Sequence, residues 1–316
     1  MKEVLNIHST FFREIAHLYP NLLLGYSKVY EVFDDSNELL ALKVVKISDD
    51  TKVKDELMAE IKILKELKDC ERVIDMIDYE LKEDIEGLPF LEDDNDENEN
   101  EPKTYLFLLL ERGEIDLDDV IKNLKKENNF STSKMRFYWE QMLEAVEEVH
   151  ARGIIHADIK PANFVLVKGR LKIIDFGLAI KMQPGENSSR RSMLLGTKDF
   201  LSPETFSCYI IEDGVINTEA MNEKTEVDLT VKVDIWALGI ILYQWVYNDK
   251  HPYASLPGGK LTRIKALTTL DVPINLDSIS DPMLYDTIRL CLEKRIEIRP
   301  NAQQLLKHPY LNPVTM

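Results

Sequence analysis

From about Leu22 to Leu110 the apolar residues follow a strand-like pattern. Lys28-Val-Tyr-Glu-Val-Phe33 and Leu39-Leu-Ala-Leu-Lys-Val-Val45 are rich in β-branched and aromatic residues, and Asp34-Asp-Ser-Asn37 between them is turn chemistry. The pattern predicts a hairpin. A helix is expected over about Val53–Lys68, because Leu57, Ile61 and Leu64 recur at helical spacing. Val73–Lys82 and Thr104–Leu110 read as two further strands.

Beyond Gly113 the periodicity becomes helical. Ser131–Ala151 puts Trp139, Met142, Leu143, Val146 and Val149 on one face and stops before Gly153, a natural C-terminal cap. Short strands are expected at Phe164–Val167 and Leu171–Ile174, and 178–232 reads as loop-rich. Asp234–Tyr247 is apolar nearly all round, which predicts a buried central helix. The rest alternates short helices with loops and closes at His308-Pro-Tyr310. The expected class is α+β and bilobal. A small antiparallel-sheet lobe with one helix (1–110) precedes a connection at 111–114 and a larger, mainly helical lobe (115–316).

The length of 316 residues agrees with two lobes, since it exceeds what one compact core usually fills. With 44% hydrophobic and 30% charged residues, wholesale disorder is excluded. The chain carries 39 basic residues against 56 acidic ones, a net charge of -17. That argues against a dedicated binder of nucleic acid or anionic membrane. The acidity is local, however. Ten of the acids lie between Glu83 and Glu101 without one basic residue, and the remaining 46 nearly balance the 39 bases. This stretch is expected to be a solvated, disordered insert between two strands. A second acidic stretch, 205–231, sets six acids against Lys224 alone.

Cys70, Cys208 and Cys291 are three and far apart, with no C-x-x-C pair, so neither a disulfide framework nor a zinc site is expected. Met1–His17 has no apolar core of a signal peptide, and Ile235–Val246 is too short to span a bilayer. No partner membrane and no partner nucleic acid is expected. Nothing in the sequence speaks to oligomeric state. The two lobes account for nearly all residues, so targeting is expected to depend on other chains or short segments.

The chemistry concentrates in His156-Ala-Asp-Ile-Lys-Pro-Ala-Asn163 and Asp175-Phe-Gly177. Two carboxylates, an amide and an ammonium are what phosphoryl transfer from a magnesium nucleotide requires. Magnesium prefers oxygen ligands and takes few from protein, so one amide oxygen and one carboxylate suffice. A second carboxylate must orient the attacking hydroxyl, and a lysine can neutralise the moving phosphoryl.

These motifs resemble those of the eukaryotic protein kinases, in that family's order, over roughly residues 20–312. Ala41-Leu-Lys43 resembles its third-strand lysine motif, and strand alternation puts Ala41 and Lys43 on one face. The resemblance implies ATP and Mg2+ as cofactors and a set of roles. Asp158 would orient the hydroxyl, Lys160 stabilise the transferring phosphoryl, and Asn163 and Asp175 hold magnesium. Lys43, fixed by Glu60, would position the α/β-phosphates. Leu22, Gly25, Val29, Ala41, Leu110 as gatekeeper, the backbone of Glu111 and Gly113, and Val165 would enclose the nucleotide. Glu204 would pair with Arg299, and Asp234 would brace the catalytic loop. Lys160 two places after Asp158 is typical of the serine/threonine class. Lys160-Pro-Ala-Asn-Phe164, Glu111-x-Gly-x-Ile-Asp-Leu117 and Gly196-Thr197 ahead of Pro203-Glu204 resemble the monopolar spindle (TTK) kinases. That implies dual specificity, kinetochore protein substrates, and a nuclear and cytoplasmic enzyme found at kinetochores and spindle in mitosis.

Two departures bear on activity. Leu22, Leu24 and Ser27 stand where the family has glycines, and only Gly25 remains, so nucleotide binding is expected to be weakened. Ala157 replaces the arginine that precedes the catalytic aspartate in much of the family. A phosphate on this loop would therefore need other bases, such as Arg190 or Arg191. Ser188, Ser189, Ser192 and Thr197 are candidate autophosphorylation sites, although a serine-rich loop can also be merely solvated. His156 is expected to be a packed core residue. Two alternatives stay open: a non-catalytic binding module with this fold, and an active kinase of another subfamily.

Overall fold

The computed structural model describes residues 5–7, 10–12, 16–17, 27–34, 36–47, 51–83, 104–192, 196–209, 226–269 and 272–312. They fall into two units, one within Met1–Lys68 and Ile74–Glu114, the other within Asp69–Val73 and Ile115–Met316.

The first unit contains β1 (Leu5–Ile7), β2 (Thr10–Phe12), β3 (Ala16–His17), β4 (Ser27–Phe33), β5 (Leu39–Ile47), α1 (Thr51–Glu66), β6 (Met76–Glu83) and β7 (Thr104–Glu111). The five-stranded sheet runs β3-β4-β5-β7-β6, with every neighbouring pair antiparallel. Asn37 closes the predicted hairpin in the left-handed region at φ 68°, a conformation asparagine tolerates, while the Glu38 N–H donates to Asp34 Oδ1 at 2.7 Å. Alternation divides the side chains between two faces. Tyr30, Val32, Leu40, Leu42, Val44, Tyr105, Phe107 and Leu109 pack together on one. On the other, Val45, Ile47, Leu106 and Leu108 meet Ile61 and Leu57 of α1. Glu83 ends β6, and 84–101, nearly all of the acidic insert, lies outside the described residues.

The second unit contains β8 (Ile115–Asp116), α2 (Leu117–Lys126), α3 (Thr132–Ala151), β9 (Ile154–Ile155), β10 (Phe164–Val167), β11 (Arg170–Ile173), β12 (Ile180–Lys181), β13 (Ser189–Ser192) and β14 (Glu226–Leu229). Helices α4 (Lys232–Val246), α5 (Gly259–Thr268), α6 (Pro282–Cys291) and α7 (Ala302–Leu306) follow. Its strands form a sheet β11-β10-β8 and the pairs β9-β12 and β13-β14. Helix α4 is the expected buried centre, with Ile235, Trp236, Leu238, Ile240, Ile241 and Leu242 fully covered. A Cβ added at Gly239 would come within 2.6 Å of Cys291 Cβ, so α4 and α6 meet where no side chain intervenes. The Trp139 indole N–H donates to Leu238 O at 3.3 Å and joins α3 to α4.

Three local features depart from the sequence pattern. Helix α2 does not stand out in the apolar periodicity, although Asp116 caps it at 2.9 Å from Asp119 N, acids fill its first turn and lysines its last. The described residues of 178–232 are less loop-like than expected, since they hold β12, β13, β14 and two stretches of 3-10 helix, Lys198–Phe200 and Pro203–Tyr209. Strands of two to four residues are too short for alternation to show. The strand expected from Val73 begins only at Met76, and Asp69–Val73 belongs to the second unit. Its hydrogen bonds explain this. Ile173 N donates to Arg72 O at 2.8 Å, Arg72 N donates to Glu148 Oε2 at 3.0 Å, and the Arg72 guanidinium reaches Gln141 at 2.8 Å and also Glu144.

Candidate active site

In the first unit the β5 register builds the site. Val29 and Leu108 lie opposite Lys43, and Glu31 and Leu110 opposite Ala41, so all six share one face. Packing of α1 through Ile61 on that face brings Glu60, which is 5% exposed, against the lysine. Lys43 Nζ donates to Glu60 Oε1 at 2.8 Å. Burying a carboxylate without a partner would be costly, and the lysine supplies one. Val29 and Ala41 are buried apolar surface beside the ammonium. The Glu111 N–H donates to Asp75 O at 2.9 Å, so that N–H is committed to the protein itself. Gly113 is buried, and Leu22 and Gly25 lie outside the described residues.

In the second unit the catalytic loop starts at β9, which pairs with β12. His156 is fully buried, as expected of a core residue: its Nε2 lies 3.1 Å from Ile174 O and its ring packs edge-on to Phe176 at 5.1 Å. Asp234 of α4 is 1% exposed and accepts from His156 N at 2.9 Å and Ala157 N at 2.9 Å, with His150 Nε2 at 2.8 Å. These bonds hold Ala157 in a left-handed conformation, φ 63°, and aim the next side chain, Asp158.

Asp158 collects four donors. Its Oδ1 accepts from Thr197 N and Thr197 Oγ1, each at 2.8 Å, and its Oδ2 accepts from Lys160 Nζ at 2.7 Å and Asn163 Nδ2 at 3.1 Å. Burial alone would raise its pKa. The Lys160 ammonium and the Thr197 donors outweigh burial and hold the carboxyl below the usual aspartate range. Lys160 Nζ also donates to Thr197 Oγ1 at 3.0 Å. Thr197 therefore has its hydroxyl engaged with the carboxylate, a role its sequence position did not disclose. Gly196 makes that approach possible: at φ 117°, a Cβ there would lie 3.0 Å from Ala157 O.

The donor set for magnesium fits. Asn163 is 2% exposed and spends Nδ2 on Asp158 O (2.8 Å) and Oδ2, which leaves Oδ1 as its oxygen for a hard cation. Asn163 O accepts from Ile174 N at 2.9 Å, which brings the amide beside Asp175, itself at φ 64°. One amide oxygen and one carboxylate suit magnesium. Val165 is buried on β10. Of the serines, Ser188 and Ser189 are half-buried and Ser192 ends β13. Arg190 lies 3.3 Å from Asp228.

Elsewhere in this unit, Arg299 donates to Glu204 through Nη1 at 2.7 Å and Nη2 at 3.0 Å. Two links carry little signal in the linear sequence. His150 on Asp234 was foreshadowed only by its place one turn after Val146. Ser202, where the resembled family has alanine, has its buried hydroxyl 2.9 Å from Thr205 Oγ1.

In the second unit a buried, ionised aspartate beside a lysine, and an asparagine next to a second aspartate, are the groups a phosphotransferase needs; the first unit, by itself, carries a lysine–glutamate pair under its sheet. Residues 25–311 match the family model for the protein kinase domain, and the chain belongs to that family. It is 31% identical to the dual specificity protein kinase TTK of Mus musculus over 289 residues, 91% of this chain and 30% of that protein. It is 33% identical to the probable serine/threonine-protein kinase mps1 of Dictyostelium discoideum over 91% of this chain and 26% of that protein. To the serine/threonine-protein kinase MPS1 of Saccharomyces cerevisiae it is 32% identical over 92% of this chain and 35% of that protein. The chain thus spans about a third of the length of the curated relatives it matches.

Proposed function

We propose that the chain transfers the γ-phosphate of ATP to serine and threonine hydroxyls of proteins, with the dual specificity that the mouse relative's name carries. The observation behind this reading is the Asp158 cluster, in which Lys160 and Thr197 keep one buried carboxylate ionised and Asn163 donates to it as well. An ionised carboxylate can orient a substrate hydroxyl and accept its proton. Its lone-pair positions are filled by four donors, so an incoming hydroxyl replaces one of them. Lys160 then stabilises charge on the phosphoryl group in transfer. Lys43, steadied by Glu60, positions the α/β-phosphates, and Val29, Ala41, Leu110 and Val165 supply apolar surface for the base. Asn163 and Asp175 would hold magnesium, which would supply charge neutralisation on the phosphates.

The likeness to the monopolar spindle kinases extends the reading to kinetochore proteins as substrates and to a spindle checkpoint role at mitotic kinetochores. The test is incorporation of labelled phosphate from magnesium-ATP into Met-Glu-Leu-Thr-type peptides, with Asp158→Asn as control. Wild-type incorporation that the control lacks is the expected result. Binding of ATP without any incorporation would sink the enzymatic reading, and equal use of unrelated serine peptides would sink the spindle assignment.

A further inference from the structure

Two ion pairs lie on the Lys43 face of the first unit's sheet. One is Lys43 with Glu60. The other joins β4 to the residue that follows β7: Arg112 Nε donates to Glu31 Oε1 at 2.6 Å. Glu31 lies opposite Ala41 and Ala41 opposite Leu110, so the three form one row across β4, β5 and β7. Val29, Lys43 and Leu108 form the next row on the same face. β4 and β7 flank β5 and so stand about 10 Å apart, two strand spacings. The Arg112 and Glu31 side chains therefore meet over β5, beside Ala41.

The sheet holds together without this contact. Its main-chain ladders already run as far as Phe33 opposite Leu39 and Leu40 opposite Glu111. The Arg112 and Glu31 side chains are 29% and 27% exposed, and an ion pair that open to water adds little stability. What it changes is the face it covers. Val29, Ala41 and Leu110 are the apolar surface read above as the seat of the base. Lys43 borders that surface at one end, and the arginine–glutamate pair borders it at the other.

We propose that Arg112 and Glu31 are positioning residues for the nucleotide, a strap at the base end of its seat that holds the adenosine moiety and slows its release. The inference rests on the phosphotransferase reading above. Glu31 fixes the planar guanidinium in advance, and a fixed guanidinium stacks on an aromatic ring at little further entropic cost. Glycines are scarce before β4, so the phosphates are expected to be cradled weakly and the base end carries more of the affinity.

Titration calorimetry with ADP and with adenosine, both free of magnesium, reads the strap apart from the grip on phosphates. Arg112→Gln and Glu31→Gln are each expected to weaken both ligands about three- to five-fold, the size of one exposed cation–π contact. Stopped-flow release of ADP should quicken by the same factor. The double variant should be no weaker than either single one, because the pair acts as a unit. Lys43→Met is the contrast, weakening ADP and leaving adenosine unchanged. In peptide phosphorylation the strap variants lose in KM for ATP and not in kcat. Their thermal midpoints move little, so a role in the fold alone would not account for the faster release.

Adenosine bound equally by the wild type and both single variants overturns the strap, and so do losses that multiply in the double variant. ADP bound more weakly by Arg112→Gln and more tightly by Glu31→Gln overturns it too, since that pattern is charge acting on the phosphates from a distance. A wild type that binds ADP and transfers no phosphate sinks the phosphotransferase reading, while the calorimetry still decides the strap. One that binds neither ligand overturns both.

Discussion

Arg299 and Asp158 are both buried charges in the larger unit, and their surroundings differ in kind. Arg299 is fully covered. It meets Glu204 with two parallel hydrogen bonds, gives Nε to Glu293 O at 2.8 Å and Nη1 to Lys232 O at 2.8 Å, and lies over Trp236 at 5.0 Å. Its partners are carbonyls, a carboxylate and an aromatic face, all fixed. Asp158 is as well supplied with hydrogen bonds, but beside the fixed Thr197 N–H and Asn163 amide two of its four donors are displaceable, a lysine whose side chain is 23% exposed and a threonine hydroxyl. A charge that serves the fold is closed on every side. The charge proposed to serve chemistry is held in part by groups that can be exchanged for substrate.

If that contrast is right, the two sites separate under mutation. The largest effect is expected from Asp158→Asn: peptide phosphorylation falls about 10³- to 10⁴-fold, the upper range for a lost general base, while the thermal midpoint moves little. Arg299→Met does the reverse. It takes both guanidinium hydrogen bonds from Glu204, and urea denaturation should show a loss of about 3–5 kcal/mol. Comparable stability losses for both variants would erase the distinction. An uncharged control at similar depth is Gly239→Ala, where the new methyl meets Cys291 and Leu292. A loss of about 1–3 kcal/mol is expected from overpacking, so a larger one would mean that depth rather than charge sets the Arg299 result. Within the catalytic cluster, Thr197→Val removes one exchangeable partner, and kcat should fall roughly ten-fold, the size of one charge-assisted hydrogen bond. An increase would show that the hydroxyl obstructs Asp158.

The same contrast explains what the sequence disclosed. Glu60, sharing a helical face with Leu57 and Leu64, had to find a cation, and Asp234 at the head of an all-apolar helix had to find donors. Both conflicts show in a linear sequence, and the structure places Lys43 and the His156–Ala157 amides opposite them. Thr197 carries no such conflict. A threonine after a glycine is ordinary, and only its contact 39 residues back along the chain reveals what it does. β13 and β14 were hidden for a similar reason, being four residues each and anchored by Val227 and Leu229 in a stretch otherwise acidic. Arg72 carries no signal of its role in the linear sequence, because its partners Gln141, Glu144 and Glu148 sit on a helix far downstream.

The smallest effect comes from a titratable group that neither serves the chemistry nor has its charge matched. His251 is pushed below the ordinary histidine pKa first by burial, with Asp199 pulling it up and Arg263 pushing it down. Its Nδ1 accepts from Tyr253 N at 3.4 Å, which requires that nitrogen unprotonated. Because the folded pKa is lowered, the unfolded chain binds the proton more readily. The stability that neutral His251 contributes is whole above its ordinary value of 6.5 and declines as pH falls from there toward the folded pKa. Thermal midpoints of the wild type should thus drop between about pH 6.5 and 5 more steeply than those of His251→Asn, whose side-chain oxygen can still accept from Tyr253. Asp199→Asn removes the one attraction that favours the imidazolium and should steepen the wild-type slope. Parallel slopes in all three chains would mean that His251 is as well matched as Arg299, and the division between closed and unmatched charges would not extend to it.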